Sequence, residues 1–135
     1  VNNAVYGMTG GQMAPTTMPN QRTTTSPFGR NVADVGMPIK VAELLAALQP
    51  PPHITRQTVI RPKYLVKAKK AIRKAFEYQR DGKCFSLVEV VSTCPTNWGM
   101  TPMEAINWSE NTLLPYYPLG DVKTPEPMSG GADAK

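Results

Sequence analysis

The sequence predicts an α/β fold: a mainly parallel sheet with helices on both faces. Three observations point there. Phe85–Ser92 is a β-branched, apolar run of the kind that forms a central strand buried on both sides. Strand and helix signals alternate along the chain, which is the pattern of a parallel sheet with crossover helices. Two polar loops, Ala4–Gln12 and Thr93–Met100, follow strand ends, where open α/β sheets place their ligands.

The first twelve residues read as the end of a buried strand opening into a loop. Asn2 and Asn3 offer hard carbonyl oxygens for a cation and amide donors for an anion. Gly7, Gly10 and Gly11 let backbone approach a ligand closely, and Thr9 adds a hydroxyl. A site for a hard cation and an anionic ligand is one reading, and a plain glycine-rich turn is the other. Met8–Gln12 also resembles an expression tag, but Asn-Asn-Ala-Val-Tyr precedes it and Pro15-Thr16-Thr17 continues it.

From Met13 to Gly36 no period is sustained, so a long loop is expected, with Thr23–Thr25 as solvated hydroxyls or an anion lining. Pro38 suits the first turn of a helix to Leu48, with Val41, Leu44, Leu45 and Leu48 on one face. Pro50-Pro51-Pro52 stops it, and His53–Val59 reads as a strand. His53 has no metal-ligand spacing around it and is read as structural or solvated. Pro62 opens a helix to Arg80, with Gly82 as its stop. Leu65, Ala68, Ile72, Ala75, Phe76 and Gln79 form its expected inner stripe. Thr101-Pro102-Met103-Glu104 is a capping box that starts a helix to Leu114, with Met103, Ile106, Leu113 and Trp108 facing protein. Pro115–Gly120 reads as an extended packing tail, and 124–135 as disordered.

A chain of 135 residues with 41% hydrophobic content fits one domain, and 14 prolines and 10 glycines make it loop-heavy. No apolar run approaches the ~20 residues that span a bilayer, and no signal peptide is visible. Two cysteines, Cys84 and Cys94, build no disulfide framework, so a reduced, cytoplasmic setting is expected. A start at Val1 without Met suggests a fragment or a processed chain. Nine Lys/Arg against Glu77 and Asp81 place +7 between Arg61 and Lys83, leaving about −2 elsewhere from the total of +5. That segment fits a solvated helix face or a basic nucleic-acid-binding module. Cys94 fits a small packed thiol or a ligand.

Residues 2–17, NNAVYGMTGGQMAPTT, resemble the thiamine-diphosphate loop of the β subunit of 2-oxoacid:ferredoxin oxidoreductases. KAKKAIRKAFEYQ at 67–79, FSLVEVVSTCPTNWGMTPMEA at 85–105 and PYYPLG at 115–120 are similar to the same subunit in the same order. The resemblance implies that residues 1–123 are the carboxyl-terminal part of a thiamine-diphosphate-binding domain, of the branch acting on 2-oxoisovalerate or 2-oxoglutarate. It implies a Mg²⁺ ligand in the Asn3 side chain and another in the Val5 carbonyl. Asn3, Val5, Tyr6, Gly7, Met8 and Thr9 would bind the cofactor. Cys94, in Ser92-Thr93-Cys94-Pro95, would ligate a 4Fe-4S cluster. No residue is assigned as catalytic, because the carbon chemistry belongs to thiamine.

The family oxidatively decarboxylates a 2-oxoacid to an acyl-coenzyme A and passes the electrons to ferredoxin. Other oxidoreductase subunits, ferredoxin, coenzyme A and the 2-oxoacid are thus the expected partners, with no nucleic acid and no membrane. The family's upstream Gly-Asp-Gly and Cys-x-x-Cys are absent from this sequence. Gly10 stands where some relatives carry Lys, and Cys84 where they have Gly. A non-redox thiamine-dependent decarboxylase is the remaining alternative.

Overall fold

The structure, a computed structural model, describes residues 1–125. The disordered tail expected over 124–135 lies, from residue 126 on, outside the described residues.

The element order is β1 (Val5–Tyr6), β2 (Gln12–Met13), α1 (Val32–Val35), α2 (Val41–Leu45), β3 (His53–Thr58), α3 (Pro62–Arg80), β4 (Ser86–Val91), α4 (Pro95–Trp98), α5 (Pro102–Trp108), a π-helical turn (Ser109–Leu113), α6 (Leu114–Tyr116) and β5 (Gly120–Lys123). β3 and β4 pair in parallel from His53↔Ser86 to Thr58↔Val91, joined by α3. Asn2 makes a further parallel bridge to Val91 on the open side of β4. The fold is α/β, and helices do lie on both faces. His53 stacks on Tyr78 of α3, whereas Arg56 reaches Glu43 of α2, and residues an odd number apart on a strand face opposite ways.

The sheet is mixed rather than mainly parallel. Its order is β4-β3-β5, with β5 antiparallel to β3. Of the segment read as an extended tail, Pro115 and Tyr116 lie in α6 instead, and only Gly120 belongs to the edge strand β5. Gly120-Asp121-Val122-Lys123 carries only one β-branched residue, so its propensity is weak, and backbone pairing with β3 decides its conformation.

α3 begins and ends where Pro62 and Gly82 place it, but its inner stripe is rotated. Ala68 is its buried residue, while Phe76 is 72% exposed and Ile72 is 40% exposed. Tyr64, Ala71 and Tyr78 face protein in their stead. Small alanines let the helix axis approach the sheet, and that contact outweighs the larger but off-axis Phe76.

α2 is shorter than expected because its first turn is used elsewhere. The Tyr116 hydroxyl donates to the Pro38 carbonyl at 2.8 Å, and Tyr117 donates to that of Ile39 at 3.2 Å. In the third helical region the Thr101–Glu104 capping box forms as expected. Met103, expected inside, is 58% exposed. The buried residues are Ala105, Ser109, Leu113 and Tyr117, spaced by four. An α-helix would rotate such a stripe off the core, and the wider π turn at Ser109–Leu113 keeps it aligned.

The long loop is held by one side chain. Arg30 is 4% exposed and donates to the carbonyls of Ala14, Pro15, Thr17, Val35, Gly36 and Met37. Thr25 accepts from the Met13 N–H at 2.9 Å, while Thr23 is buried. Ala4, Met18, Val91, Leu113 and Tyr117 form the core beneath the amino-terminal loop, flanked by Trp98 and Trp108.

Candidate functional site

The Asn-Asn pair sits where the amino-terminal segment leaves the sheet. The Asn2 N–H donates to the Val90 carbonyl at 2.8 Å, and the Ser92 N–H donates to the Asn2 carbonyl at 2.9 Å. The next residues turn sharply. Asn2 Oδ1 accepts from the Ala4 N–H at 3.1 Å, and Asn3 Oδ1 from that of Val5 at 3.4 Å. Ala4 is fully buried with φ at +59°, a left-handed conformation that costs about 1–2 kcal/mol for a residue with a Cβ. The core beneath Ala4 holds that strain in place, as at many sites that fix a loop.

Beyond this turn β1 and β2 form a short hairpin, with Val5 opposite Met13. Gly10 and Gly11 carry φ of +113° and +77° at its end. A cleft of about 360 Å³ opens beside it, and Asn2, Asn3, Val5, Tyr6, Leu87 and Glu89 contribute to its wall. Met8 and Thr9 lie outside this wall on the exposed hairpin tip, where the Thr9 hydroxyl donates to Gln12 Oε1 at 2.7 Å. Gly7 faces the opposite way, toward the loop after β4.

There three polar side chains converge. A Cβ on Gly7 would lie 3.0 Å from Asn3 Nδ2, 3.1 Å from Cys94 Sγ and 3.6 Å from Asn97 Nδ2. Asn97 Nδ2 donates to the Gly7 carbonyl at 3.0 Å and lies 3.1 Å from Cys94 Sγ. On Gly11 a Cβ would come within 2.8 Å of Asn97 Oδ1. The close passage of Asn97 therefore requires Gly11, while Gly7 leaves room for Asn3 and Cys94. Trp98 completes the clamp, donating from its indole N–H to the Asn3 carbonyl at 3.1 Å and packing edge-on against Trp108.

Behind the Asn pair runs a buried charged chain. Glu89 accepts from Asn2 Nδ2 at 2.8 Å and from Arg56 Nε at 2.7 Å. Arg56, with no exposed surface, grips Glu43 through both terminal nitrogens at 2.9 and 2.6 Å and donates to the Pro118 carbonyl. The hydrogen bond from Arg56 holds the Glu43 carboxyl below its ordinary range. Burial alone would weaken Arg56 as a base, but its bonds to Glu43 and Glu89 outweigh that and raise it. Burial likewise pushes the Tyr117 phenol well up.

Of the sequence-predicted residues, Asn3, Gly7 and Cys94 come together, Val5 and Tyr6 line the adjoining cleft, and Met8 and Thr9 stand apart. Sequence reasoning missed Asn97, Trp98, Glu89 and Arg56. Gly7 and Gly11, four residues apart, signalled a close neighbour without naming it. Cys84 lies beyond the other end of β4, roughly 20 Å from Cys94 by strand rise, so the two thiols do not share a site. Among the described residues no group of three or more His, Cys, Asp or Glu is placed to hold a metal ion. Nor is any helix among them long and apolar enough to cross a membrane.

Comparison with known proteins points one way. The chain is 54% identical to ketoisovalerate oxidoreductase subunit VorA of Methanothermobacter marburgensis over 97 residues, 72% of this chain and 20% of that one. It is 38% identical to 2-oxoglutarate synthase subunit KorB of Archaeoglobus fulgidus over 106 residues, 78% of this chain and 35% of that one. With pyruvate synthase subunit PorB of Pyrococcus horikoshii it shares 35% identity over 103 residues, 76% and 29% of the two chains. The chain thus spans about a fifth to a third of the length of the curated relatives it matches. No family model matches it, and no solved structure does. These relatives are enzyme subunits, and the chain belongs with them to the 2-oxoacid:ferredoxin oxidoreductase family.

Proposed function

We propose that this segment holds Mg²⁺-thiamine diphosphate in the β subunit of a 2-oxoacid:ferredoxin oxidoreductase and supplies one ligand of an adjacent 4Fe-4S cluster. The observation that carries the reading is the meeting of Asn3, Gly7 and Cys94 around one glycine backbone.

The donor set suits the chemistry. Mg²⁺ takes hard oxygens in near-octahedral order. The Asn3 side-chain oxygen accepts a single long hydrogen bond, leaving a lone pair for a metal. The Val5 carbonyl would be the second ligand, with the diphosphate and residues outside this chain supplying the rest. Tyr6 and Gly7 would continue along the cofactor, while Met8 and Thr9 stand apart on the exposed tip. Trp98 fixes the Asn3 backbone and Glu89 fixes Asn2, so the ligand loop is positioned before anything binds.

Bound thiamine diphosphate supplies the electron sink on which a 2-oxoacid loses carbon dioxide. The chain's own residues do the rest of the positioning. Asn97 orients Cys94 Sγ and the Gly7 carbonyl together. An N–H directed at a cluster sulfur also tunes its reduction potential. A four-iron cluster takes four thiolates, so three come from outside this chain. The substrate we favour is a branched 2-oxoacid of the 2-oxoisovalerate kind, after the 54%-identical relative, with 2-oxoglutarate as the second choice. The products would be the acyl-coenzyme A and reduced ferredoxin. The relatives' names favour neither a nucleic-acid module nor a non-redox decarboxylase.

The test is Cys94→Ala in the full-length enzyme, prepared anaerobically. It should lose or convert its cluster and collapse in ferredoxin reduction while still binding thiamine diphosphate. Unchanged iron content and visible absorption would make Cys94 a packed thiol.

A further inference from the structure

The turn after β4 carries the Cys94 thiol and the two side chains that hold the amino-terminal loop. Cys94 caps α4 (Pro95–Trp98) at its start, and Gly99, with φ at +66°, ends it. The Trp98 N–H closes the turn on the Cys94 carbonyl at 3.0 Å. Pro95 fixes its own φ, so the turn has little freedom. Two adjacent side chains reach across from it. Asn97 donates to the Gly7 carbonyl at 3.0 Å, and Trp98 donates to the Asn3 carbonyl at 3.1 Å.

Asn97 is the point where loop and thiol meet. Its amide nitrogen carries two hydrogens. The Gly7 carbonyl lies at 3.0 Å and Cys94 Sγ at 3.1 Å, so one hydrogen serves each. The hairpin has no slack above this amide. A Cβ on Gly11 would meet Asn97 Oδ1 at 2.8 Å and the Asn97 Cβ at 3.0 Å. Gly7 is half-buried, whereas Met8, Thr9 and Gly10 are exposed. Asn97 thus grips the inner end of a loop whose tip is open to solvent.

We propose that Asn97 couples the two sites: cofactor binding at the loop and reduction of the cluster at Cys94 favour each other through its amide. The coupling rests on the reading of the loop as the thiamine diphosphate site and of Cys94 as a cluster ligand. The link is electrostatic. An electron added to the cluster makes the ligand sulfur a stronger acceptor, and an N–H aimed at it stabilises the reduced state. A ligand that pins the Gly7 backbone also pins the amide bonded to it, and with it the N–H on Sγ. Coupling free energies are reciprocal, so reduced protein must hold the cofactor tighter than oxidised protein does. The cluster then accepts an electron most readily when the cofactor is in place.

The test is a redox titration of the complete oxidoreductase monitored by electron paramagnetic resonance, following the cluster signal that Cys94→Ala removes. It is run after cofactor removal and again with saturating Mg²⁺-thiamine diphosphate. The midpoint potential should rise on saturation. The cofactor Kd should be about tenfold lower for reduced than for oxidised enzyme, which for one electron corresponds to about 59 mV. Asn97→Asp keeps the shape and loses both N–H donors, and Asn97→Ala loses them without adding a charge. Both should keep their iron while the shift and the affinity ratio vanish. A potential indifferent to the cofactor in the parent enzyme, or an equal shift in both variants, would overturn the coupling while leaving both sites standing. Loss of iron in both variants would also overturn it, making Asn97 a structural support of the thiol. Iron and signal retained in Cys94→Ala would overturn the cluster reading itself, and the coupling with it.

Discussion

Arg56→Met removes the centre of the buried charged chain and should be among the most destabilising single changes in the protein. The guanidinium has no exposed surface and makes four hydrogen bonds, at 2.7, 2.9, 2.6 and 3.2 Å. Met fills much of the volume, so little cavity energy enters. Glu43 is 36% exposed and can rehydrate, whereas Glu89 is 8% exposed and would be left with Asn2 alone. Breaking a buried pair by deleting one partner costs about 3–5 kcal/mol. For a domain of this size that lowers Tm by roughly 10–20 °C. Urea unfolding of the purified full-length protein measures it. Adding Glu89→Leu to the variant should recover part of the loss, because the stranded charge is then removed. A loss below about 1 kcal/mol, or no recovery in the double variant, would refute the claim that Glu89 depends on Arg56.

The clamp around Gly7 gives a second prediction. Gly7→Ala puts a methyl 3.0 Å from Asn3 and 3.1 Å from Cys94, so thiamine diphosphate affinity should fall by about tenfold with a stability loss near 1 kcal/mol. Unchanged affinity in an equilibrium titration would show that the gap is not needed. The third concerns pH. The Glu43 carboxyl is held below its ordinary value of 4.5 by Arg56, so its contribution is complete above that pH and is lost as pH falls through the lower folded value. Glu43→Gln should therefore flatten the decline of Tm below about pH 4.5, and a decline unchanged in slope would contradict the coupling.

What could be read from the sequence was what local chemistry decides. The proline, capping box and glycine signals placed α3 and the start of α5, and the β-branched run marked β4 as a strand, although it ends the three-stranded sheet with only Glu89 and Val91 buried rather than standing at a buried centre. The glycines of the amino-terminal loop announced a close approach. What could not be read depends on partners distant in sequence. Arg56 looks like an ordinary polar position in an alternating strand, and only the fold brings it to Glu43 and Glu89, thirteen and thirty-three residues away. Asn97 is one amide in a polar loop until the hairpin passes over it. The rotation of α3 was hidden for the same reason. Helical period gives a stripe, but the small side chains that let the sheet approach choose which stripe is inside. β5 was missed because its pairing comes from the backbone, and the mixed sheet followed from that.

The most direct test of the account is Mg²⁺-dependent thiamine diphosphate binding by the full-length subunit, compared with Asn3→Ala. Asn3 lies at the turn held by Trp98 and Ala4, with its side chain between the cleft and Cys94. Loss of one hard-oxygen ligand should weaken Mg²⁺-supported binding by about tenfold to a hundredfold, while far-ultraviolet circular dichroism stays unchanged. Equal affinity in the two proteins, at every Mg²⁺ concentration, would remove Asn3 from the ligand set and contradict the cofactor assignment of this loop.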